Sequence, residues 1–231
     1  ELNKKSLEKV ESLLKIKTPR LITVSRFDKR KNHEKIIMAL RNLKQRYPDI
    51  VYICIGYGDE EQNLKELVEK LDLSTQVMFF KDITDDLKNS LIAKSDIFVM
   101  PSIIYKTSVE GFGIAYVEAA QYGIPSLGGK DGGASDAIEH YKTGLICDGN
   151  NLDDIYSSLN SMIENKKYLE FGKNAKEYVS KFQWGKLLEE YNKVLNKNKK
   201  LINLSNTSSA LRLFKSLTSM ALKFSLSILT L

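Results

Sequence analysis

Short segments that are apolar throughout alternate with segments of helical periodicity between residues 19 and about 183. A strand that is apolar on both sides is buried on both faces of its sheet, and a helix between consecutive strands makes those strands parallel. The pattern therefore predicts an α/β domain with a doubly wound, mostly parallel sheet and C-terminal helices. Six strands are predicted, at residues 21–25, 50–55, 77–80, 96–100, 125–127 and 144–147.

The predicted helices follow from apolar side chains spaced three or four residues apart. After Asn32, a candidate N-cap, the residues Ile36, Leu40, Leu43 and Tyr47 share one helical face. The next predicted helix carries Leu64, Leu67, Val68 and Leu71 on one face. Four more helices are predicted at about residues 86–94, 113–122, 153–164 and 167–181.

The net charge of +6 is confined to the end of the chain. Residues 1–190 carry 28 bases and 29 acids, whereas residues 191–231 carry seven bases and no acid. A nucleic-acid-binding domain normally has its basic residues spread over one face, so nucleic acid is not expected as a partner.

Cysteine usage and acidic pairs give no sign of a disulfide or a metal site. Cys54 and Cys147 are far apart and form no CxxC motif, so we interpret them as reduced core thiols of a cytoplasmic protein. The two acidic pairs, 85–86 and 153–154, stand at predicted helix starts, where capping explains them. The chain starts at Glu1 without a charged-then-apolar leader, so no signal peptide is predicted, and a start inside a longer protein is one interpretation.

The loop after the first strand, residues 26–32, contains four bases and one acid. In doubly wound sheets the ligand binds beyond the carboxyl ends of the strands. Arg26 and Lys31 could both reach one diphosphate there, the guanidinium with two parallel hydrogen bonds and the ammonium as a point charge. A solvated basic turn is the alternative.

The loop after the fourth strand leads into a helix that has no acid in its first turn. Gly111 and Gly113 allow a close backbone approach, and the free amides of that turn form an anion site at the positive end of the helix. Glu110 and Glu118 would flank this site, one holding ribose hydroxyls and the other sugar hydroxyls. Taken singly, each is also explained as a helix cap or a surface acid.

Two further loops are rich in glycine. Gly56 and Gly58 follow the second strand, but the acids at 59–61 would repel a phosphate and the full dinucleotide fingerprint is absent, so we expect a tight turn beside the cleft. Gly132 and Gly133 follow the fifth strand and let backbone approach the same cleft.

Together these loops resemble the donor-binding half of glycosyltransferase family 4, over about residues 18–197. The pair Glu110 and Glu118, with Gly-Phe-Gly between them, is the most specific part of the resemblance. The segment 108–114 looks most like the branch of mannosyl and related hexosyl transferases of lipid and cell-surface glycan synthesis. The resemblance implies half of a GT-B fold, a Rossmann-like domain that binds a nucleotide sugar. The whole enzyme would transfer a hexosyl group with retention and without a metal or cofactor.

The resemblance also implies roles for residues and partners. Catalytic roles fall to Glu110, Arg26 and Lys31; the residues that bind the nucleotide sugar are Arg26, Lys31, Gly56, Asp82, Glu110, Gly111, Phe112, Gly113, Ile114 and Glu118. The donor would be GDP-mannose or a UDP-sugar, the acceptor a glycan or a lipid-linked molecule, and the partner an N-terminal acceptor domain. Lys81 stands where the family often has Gly, in the loop that resembles the nucleobase contact, and Asp136 stands where Glu is usual.

The domain organisation expected from the sequence has three parts: a linker or N-terminal segment at 1–18, the donor-binding domain with its closing helix at 19–197, and a tail at 198–231. The tail is either a basic amphipathic helix at the inner face of the membrane or a loose extension. The alternative functions are another GT-B enzyme, such as a nucleotide-sugar epimerase, and a non-catalytic membrane-associated module.

Overall fold

The computed structural model describes residues 2–15, 17–182, 188, 192 and 193. The chain divides into two compact units, Glu1–Val179 and Ser180–Leu231, and the elements below belong to the first. The predicted tail at 198–231 and most of the predicted closing helix lie outside the described residues.

All six predicted strands form one sheet in which every neighbouring pair is parallel. The order across the sheet is β3-β2-β1-β4-β5-β6, so the predicted α/β doubly wound fold is confirmed. The strands are β1 Arg20–Val24, β2 Val51–Ile55, β3 Val77–Phe80, β4 Ile97–Met100, β5 Ser126–Gly129 and β6 Gly144–Cys147.

Helices follow the strands as the periodicity predicts, and their apolar faces build the core. Ile36, Leu40 and Leu43 of α2 are fully buried, and burying each such side chain is worth about 1.5–3 kcal/mol. Cys54 and Cys147 are buried free thiols. The helices are α1 Lys4–Leu13, α2 His33–Arg46, α3 Glu61–Lys70, α4 Asp85–Ala93, α5 Ile114–Gln121, α6 Ala134–Ala137, α7 Leu152–Ile163 and α8 Lys167–Tyr178.

Two helices were not predicted from the sequence. Helix α1 lies in the segment expected to be a linker or N-terminal segment; it begins at the side-chain cap of Asn3 and buries Val10. Helix α6 is a single turn within the glycine-rich loop after β5. Neither has the long apolar periodicity on which the other predictions depended.

The strand order determines where the informative loops meet. β1 lies at the centre, paired with β2 on one side and β4 on the other. The chain reverses its winding direction between β1 and β4, which is the point where open α/β sheets bind ligands. The loops after β1 and β4 therefore lie side by side at the carboxyl edge.

A buried chain of hydrogen bonds fixes the end of β1 beside this edge. The Thr23 hydroxyl donates to the Val99 carbonyl, so the Tyr52 hydroxyl donates to Thr23 over 2.8 Å. The Tyr52 oxygen then accepts from Nδ1 of His33 at 2.8 Å, which leaves Nε2 to accept from the Ser25 hydroxyl at 3.0 Å. A neutral His33 thus fits the chain, with the Arg26 carbonyl, 3.2 Å from Ser25 Oγ, competing for the single Ser25 hydroxyl proton.

Burial, with Lys31 nearby, lowers the pKa of His33 from 6.5 to about 3. The unfolded chain binds this proton below about pH 6.5 while the folded chain does not, so the free energy of unfolding should fall as the pH drops towards 3.

We expect His33→Asn, which keeps a donor in place of Nδ1, to be less stable at pH 7. Between pH 7 and pH 5, the free energy of unfolding measured with urea should change less steeply with pH in the variant than in the wild type, by up to about 1.4 kcal/mol per pH unit. Equal slopes for both proteins would contradict the neutral assignment.

Candidate functional site

Three loops at the carboxyl edge of the sheet meet around the side chain and backbone of Glu110. From the loop after β1, Lys31 Nζ lies 2.5 Å from Glu110 Oε2, and the Arg30 guanidinium donates to the same oxygen. From the loop after β5, the Gly133 amide donates to the Glu110 carbonyl at 3.0 Å. The arrangement concentrates two cations, one carboxylate and flexible glycine backbone at one place.

The loop after β1 holds its shape through its own acid and through contacts with distant backbone. Asp28 caps the 3₁₀ turn Lys29–Lys31 by accepting from the Lys31 amide at 3.1 Å, and this turn directs both Arg30 and Lys31 towards Glu110. The Arg30 carbonyl accepts from the Ile103 amide at 3.0 Å. The loops after β1 and β4 are therefore fastened together by backbone as well as by side chains.

Asn32 was predicted to cap α2, and for its side chain this is wrong. Asn32 occupies the N-cap position with a left-handed φ of 64° and makes no side-chain cap. Its amide group instead donates to the carbonyls of Pro101 and Gly149, at 2.9 and 2.7 Å. Asn32 thus links the loop after β1 to the loops after β4 and β6.

Glu110 is an ionised carboxylate in a largely buried position. Burial by itself would raise its pKa, but the charges and hydrogen bonds of Lys31 and Arg30 outweigh burial and hold the pKa below its usual range. The Glu110 side chain is only 10% exposed, so losing both cations would strand a poorly hydrated charge.

The first turn of α5 is open to an anion, as the sequence predicted. Gly113 occupies the N-cap with φ 78°, no side chain caps the helix, and the first turn contains no acid. The leading amides of Ile114 and its neighbours have no carbonyl within the helix to bind. The Tyr116 ring packs against Gly113 and its hydroxyl donates to the Met100 carbonyl at 2.6 Å, which fixes this turn to the end of β4.

Glu118 lies half-buried on α5, and its carboxylate makes no hydrogen bond or ion pair with any described residue. Burial raises its pKa, Lys88 of α4 opposes this, and Asp85 adds to it. Glu110 and Glu118 therefore have separate surroundings, the first paired with cations and the second without a partner in the described part of the chain.

Arg26 follows β1 directly and is exposed, and its guanidinium contacts no acceptor among the described residues. Arg30 is the residue that sequence reasoning missed. It stands among four bases without periodicity, and only the 3₁₀ turn shows that it points inwards beside Lys31.

The remaining predicted residues surround this centre. Gly56 has φ 147°, and a Cβ there would lie 1.9 Å from the Ser25 carbonyl oxygen, so its close approach is to the backbone of the loop after β1. Asp82 and Gly111 are exposed and Phe112 is half-buried. Glu60, one of the acids expected to repel a phosphate, instead pairs with Lys29 at 2.9 Å. The binding roles assigned to these residues stay predictions.

Other parts of the described chain offer no competing centre of this kind. No group of three or more His, Cys, Asp or Glu residues there is arranged to hold a metal ion, and no helix there is long and apolar enough to cross a membrane. A cavity of about 310 Å³ lies at the opposite, amino-end edge of the sheet, lined by Arg20, Lys94 and one face of α1.

Comparisons with known proteins agree with this fold. The family model described as "Glycosyl transferases group 1" matches residues 4–178. A GDP-mannose-dependent alpha-(1-6)-phosphatidylinositol monomannoside mannosyltransferase of Mycobacterium tuberculosis is 28% identical over 169 residues, which are 72% of this chain and 44% of that protein. The chain thus spans less than half the length of this curated relative.

Two solved structures show the same fold. Anabaena Alr3699/HepE in complex with UDP has a TM-score of 0.72 at 23% identity, over 84% of this chain and 53% of that one. The C-terminal domain of a glycosyl transferase group 1 family protein, LpcC from Francisella tularensis, has a TM-score of 0.65 at 22% identity, over 78% of this chain and 93% of that one.

The turn before α5 supplies a direct test of this geometry. A Cβ at Gly113 would meet the Tyr116 ring at 2.4 Å, and φ there is +78°, whereas a Cβ at Gly111 would meet nothing within 4 Å. We expect Gly113→Ala to lower the free energy of unfolding by about 1–3 kcal/mol, and Gly111→Ala to change it by less than about 0.5 kcal/mol. Urea unfolding measures both. Equal effects would show that the turn before α5 is not built as described.

Proposed function

Because the chain belongs to the glycosyl transferases group 1 family, we propose that it binds a nucleoside-diphosphate sugar at the carboxyl ends of β1 and β4. It would act as the donor-binding domain of a retaining, metal-independent hexosyltransferase. The observation that carries this proposal is the contact of Lys31 with Glu110 across the ends of two neighbouring strands, beside the uncapped first turn of α5 and in the same loop as the exposed Arg26.

The chemistry of transfer requires positive charge where the diphosphate leaves. As the glycosidic bond breaks, negative charge grows on the departing diphosphate, and fixed cations with oriented amides stabilise it without reorganisation. Arg26 is exposed, and Lys31 lies five residues further along the same short loop. These groups supply the charge that a divalent ion supplies in other transferases, which is why we propose a metal-independent reaction.

The two glutamates suit two different sets of hydroxyl groups. An ionised carboxylate accepts hydrogen bonds from two hydroxyls well. We assign Glu110, beside the cations, to the hydroxyls of the transferred sugar, and Glu118, without a partner among the described residues, to the ribose. Retention of the anomeric configuration is proposed from the resemblance of this glutamate pair to glycosyltransferase family 4.

The donor and acceptor are proposed at the level of chemical class. The mannosyltransferase relative is named as GDP-mannose-dependent and the structural neighbour was solved with UDP, so GDP-mannose and UDP-sugars are the donors to test. We propose a glycan or lipid-linked acceptor, bound by an N-terminal acceptor domain. The whole enzyme would work in the cytoplasm, with residues 201–231 as a contact to the inner face of the membrane.

Nucleotide binding to this chain tests the proposal. We expect UDP or GDP to raise its melting temperature, and Arg26→Ala to weaken binding by about 10- to 100-fold, because a charge-assisted hydrogen bond to a phosphate is lost. Arg41→Ala is the matched control, since Arg41 is an exposed arginine on α2. Isothermal titration calorimetry gives the affinities. A wild-type chain that binds neither nucleotide would refute the proposal.

A parallel pair tests the ribose assignment. Glu118→Gln keeps the size of the side chain but weakens its acceptance of hydroxyl protons, so we expect about tenfold weaker nucleotide binding. Glu69→Gln, on the exposed face of α3, is the control.

The UDP and GDP titrations of the wild-type chain are repeated with EDTA, and a loss of affinity on chelation would contradict metal independence.

A further inference from the structure

Among the described residues, every hydrogen bond and ion pair of the Glu110 side chain falls on one of its two carboxylate oxygens. Arg30, Lys31 at 2.5 Å and, more distantly, the Ser102 hydroxyl at 3.5 Å all approach Oε2. No described residue lies within hydrogen-bonding distance of Oε1. One oxygen is therefore fixed by the protein, and the other is left to accept from a ligand.

The two cations on Oε2 differ in how firmly they are held. Lys31 is a point charge on a flexible stem, and its other close contact is the Met100 sulfur at 3.4 Å. Arg30 has a planar guanidinium, 3.8 Å from Asp28 on its other side, and its own backbone carbonyl is bound by the Ile103 amide. The Arg30 and Lys31 side chains are 17% and 12% exposed, so exposure does not distinguish them. Arg30 differs in its contact with Asp28 and in its Nε, which is buried without a partner among the described residues.

We propose that Arg30 is a positioning residue for Glu110: it keeps Oε2 bound while Lys31 transfers its ammonium to the diphosphate of the donor, so that Oε1 stays directed at a hydroxyl of the donor sugar. This assignment rests on the proposed function. Lys31 would then exchange partners between the free and the bound state, and Arg30 would not.

The energetics require a second cation if Lys31 is to move. A carboxylate that is only 10% exposed loses much of its hydration, and it is costly to leave such a charge without a partner. Without Arg30, every ligand that draws Lys31 away would have to strand Glu110 or leave it protonated and misdirected. With Arg30 present, the diphosphate of the donor can bind Lys31 while Glu110 stays paired and its Oε1 stays directed at the sugar.

The test compares a nucleotide with its sugar conjugate, using calorimetric dissociation constants for UDP against UDP-glucose and for GDP against GDP-mannose. We define the sugar ratio as the dissociation constant of the nucleotide divided by that of the nucleotide sugar. For the donor that binds, we expect Arg30→Met to lower this ratio about tenfold, because Oε1 is no longer directed at the sugar. Lys29→Met, in the same turn but paired with Glu60, should leave it unchanged.

A double-mutant cycle separates positioning from a general structural effect. Glu110→Gln should lower the sugar ratio by a similar factor, and adding Arg30→Met to Glu110→Gln should lower it no further. Arg30→Lys, which restores the charge without the planar fork, should give an intermediate ratio. A second drop in the double variant would mean that Arg30 acts independently of Glu110 and would overturn the assignment.

The pH dependence gives an independent readout. Among the described residues, the charged and titratable groups facing Glu110 are Arg30 and Lys31, with Asp28 behind them, and Tyr116 from α5. Arg30 helps to hold the pKa of Glu110 low, so Arg30→Met should raise the pH at which the sugar ratio falls as the solution is acidified. An unchanged midpoint would count against the assignment.

The outcomes for the proposed function and for Arg30 are distinguishable. If the wild-type chain binds none of the four probes, both are overturned. If it binds them and Arg30→Met keeps the wild-type ratio, only the role of Arg30 is lost. Thermal melting establishes that each variant is folded, and Arg30→Gln replaces Arg30→Met if the latter is not. If Glu110→Gln has the same sugar ratio as the wild type, Oε1 does not bind the sugar and the assignment is overturned.

Discussion

The pairing of β1 with β4, two strands separated by more than 70 residues of sequence, is the constraint on which the site depends. It places Leu21 opposite Ile97 in the parallel register, so the loop after Val24 and the loop after Met100 begin at the same edge. Cations from one loop and the carboxylate from the other can then meet, although nothing local brings them together. The buried chain from Thr23 through Tyr52 and His33 to Ser25 fastens the same strand end from within the core.

The basic side chains at this edge outnumber the carboxylate that they contact, so a net positive charge is left. Arg30 and Lys31 share one oxygen of Glu110, and Arg26 is exposed in the same loop. A buried ion pair gains little stability relative to apolar packing, because desolvation offsets most of the attraction. The cluster is therefore better explained by what it can bind than by what it adds to the stability of the fold. An anion bound at this edge would meet the positive charge of Lys31, whose side chain is only 12% exposed, and of the exposed Arg26.

The sequence predicted the sheet well because most strand residues are apolar, and burial of the central strands on both faces leaves little choice of structure. It predicted the open turn at Gly113 because glycine and the lack of acids are local properties. It failed where contacts between residues far apart in the sequence determine where a side chain lies. The Asn32 side chain reaches the carbonyls of Pro101 and Gly149 instead of capping its own helix. Arg30 could not be distinguished from its basic neighbours, because its direction is set by the Asp28-capped turn.

The two glutamates show how one residue type acquires two properties within a single loop and helix. Glu110 has a lowered pKa because two cations outweigh its burial, whereas Glu118 has a raised pKa because burial is not matched by any partner among the described residues. Ligand hydroxyls would have different effects on them. At Glu110 they add to an acceptor that is already ionised and held in place. At Glu118 they supply the missing hydrogen bonds and favour the ionised form, so that binding and ionisation support each other. On the proposed assignment of Glu118 to the ribose and Glu110 to the sugar, calorimetric titration at several pH values should show that the loss of nucleotide affinity on acidification is larger in the wild type than in Glu118→Gln.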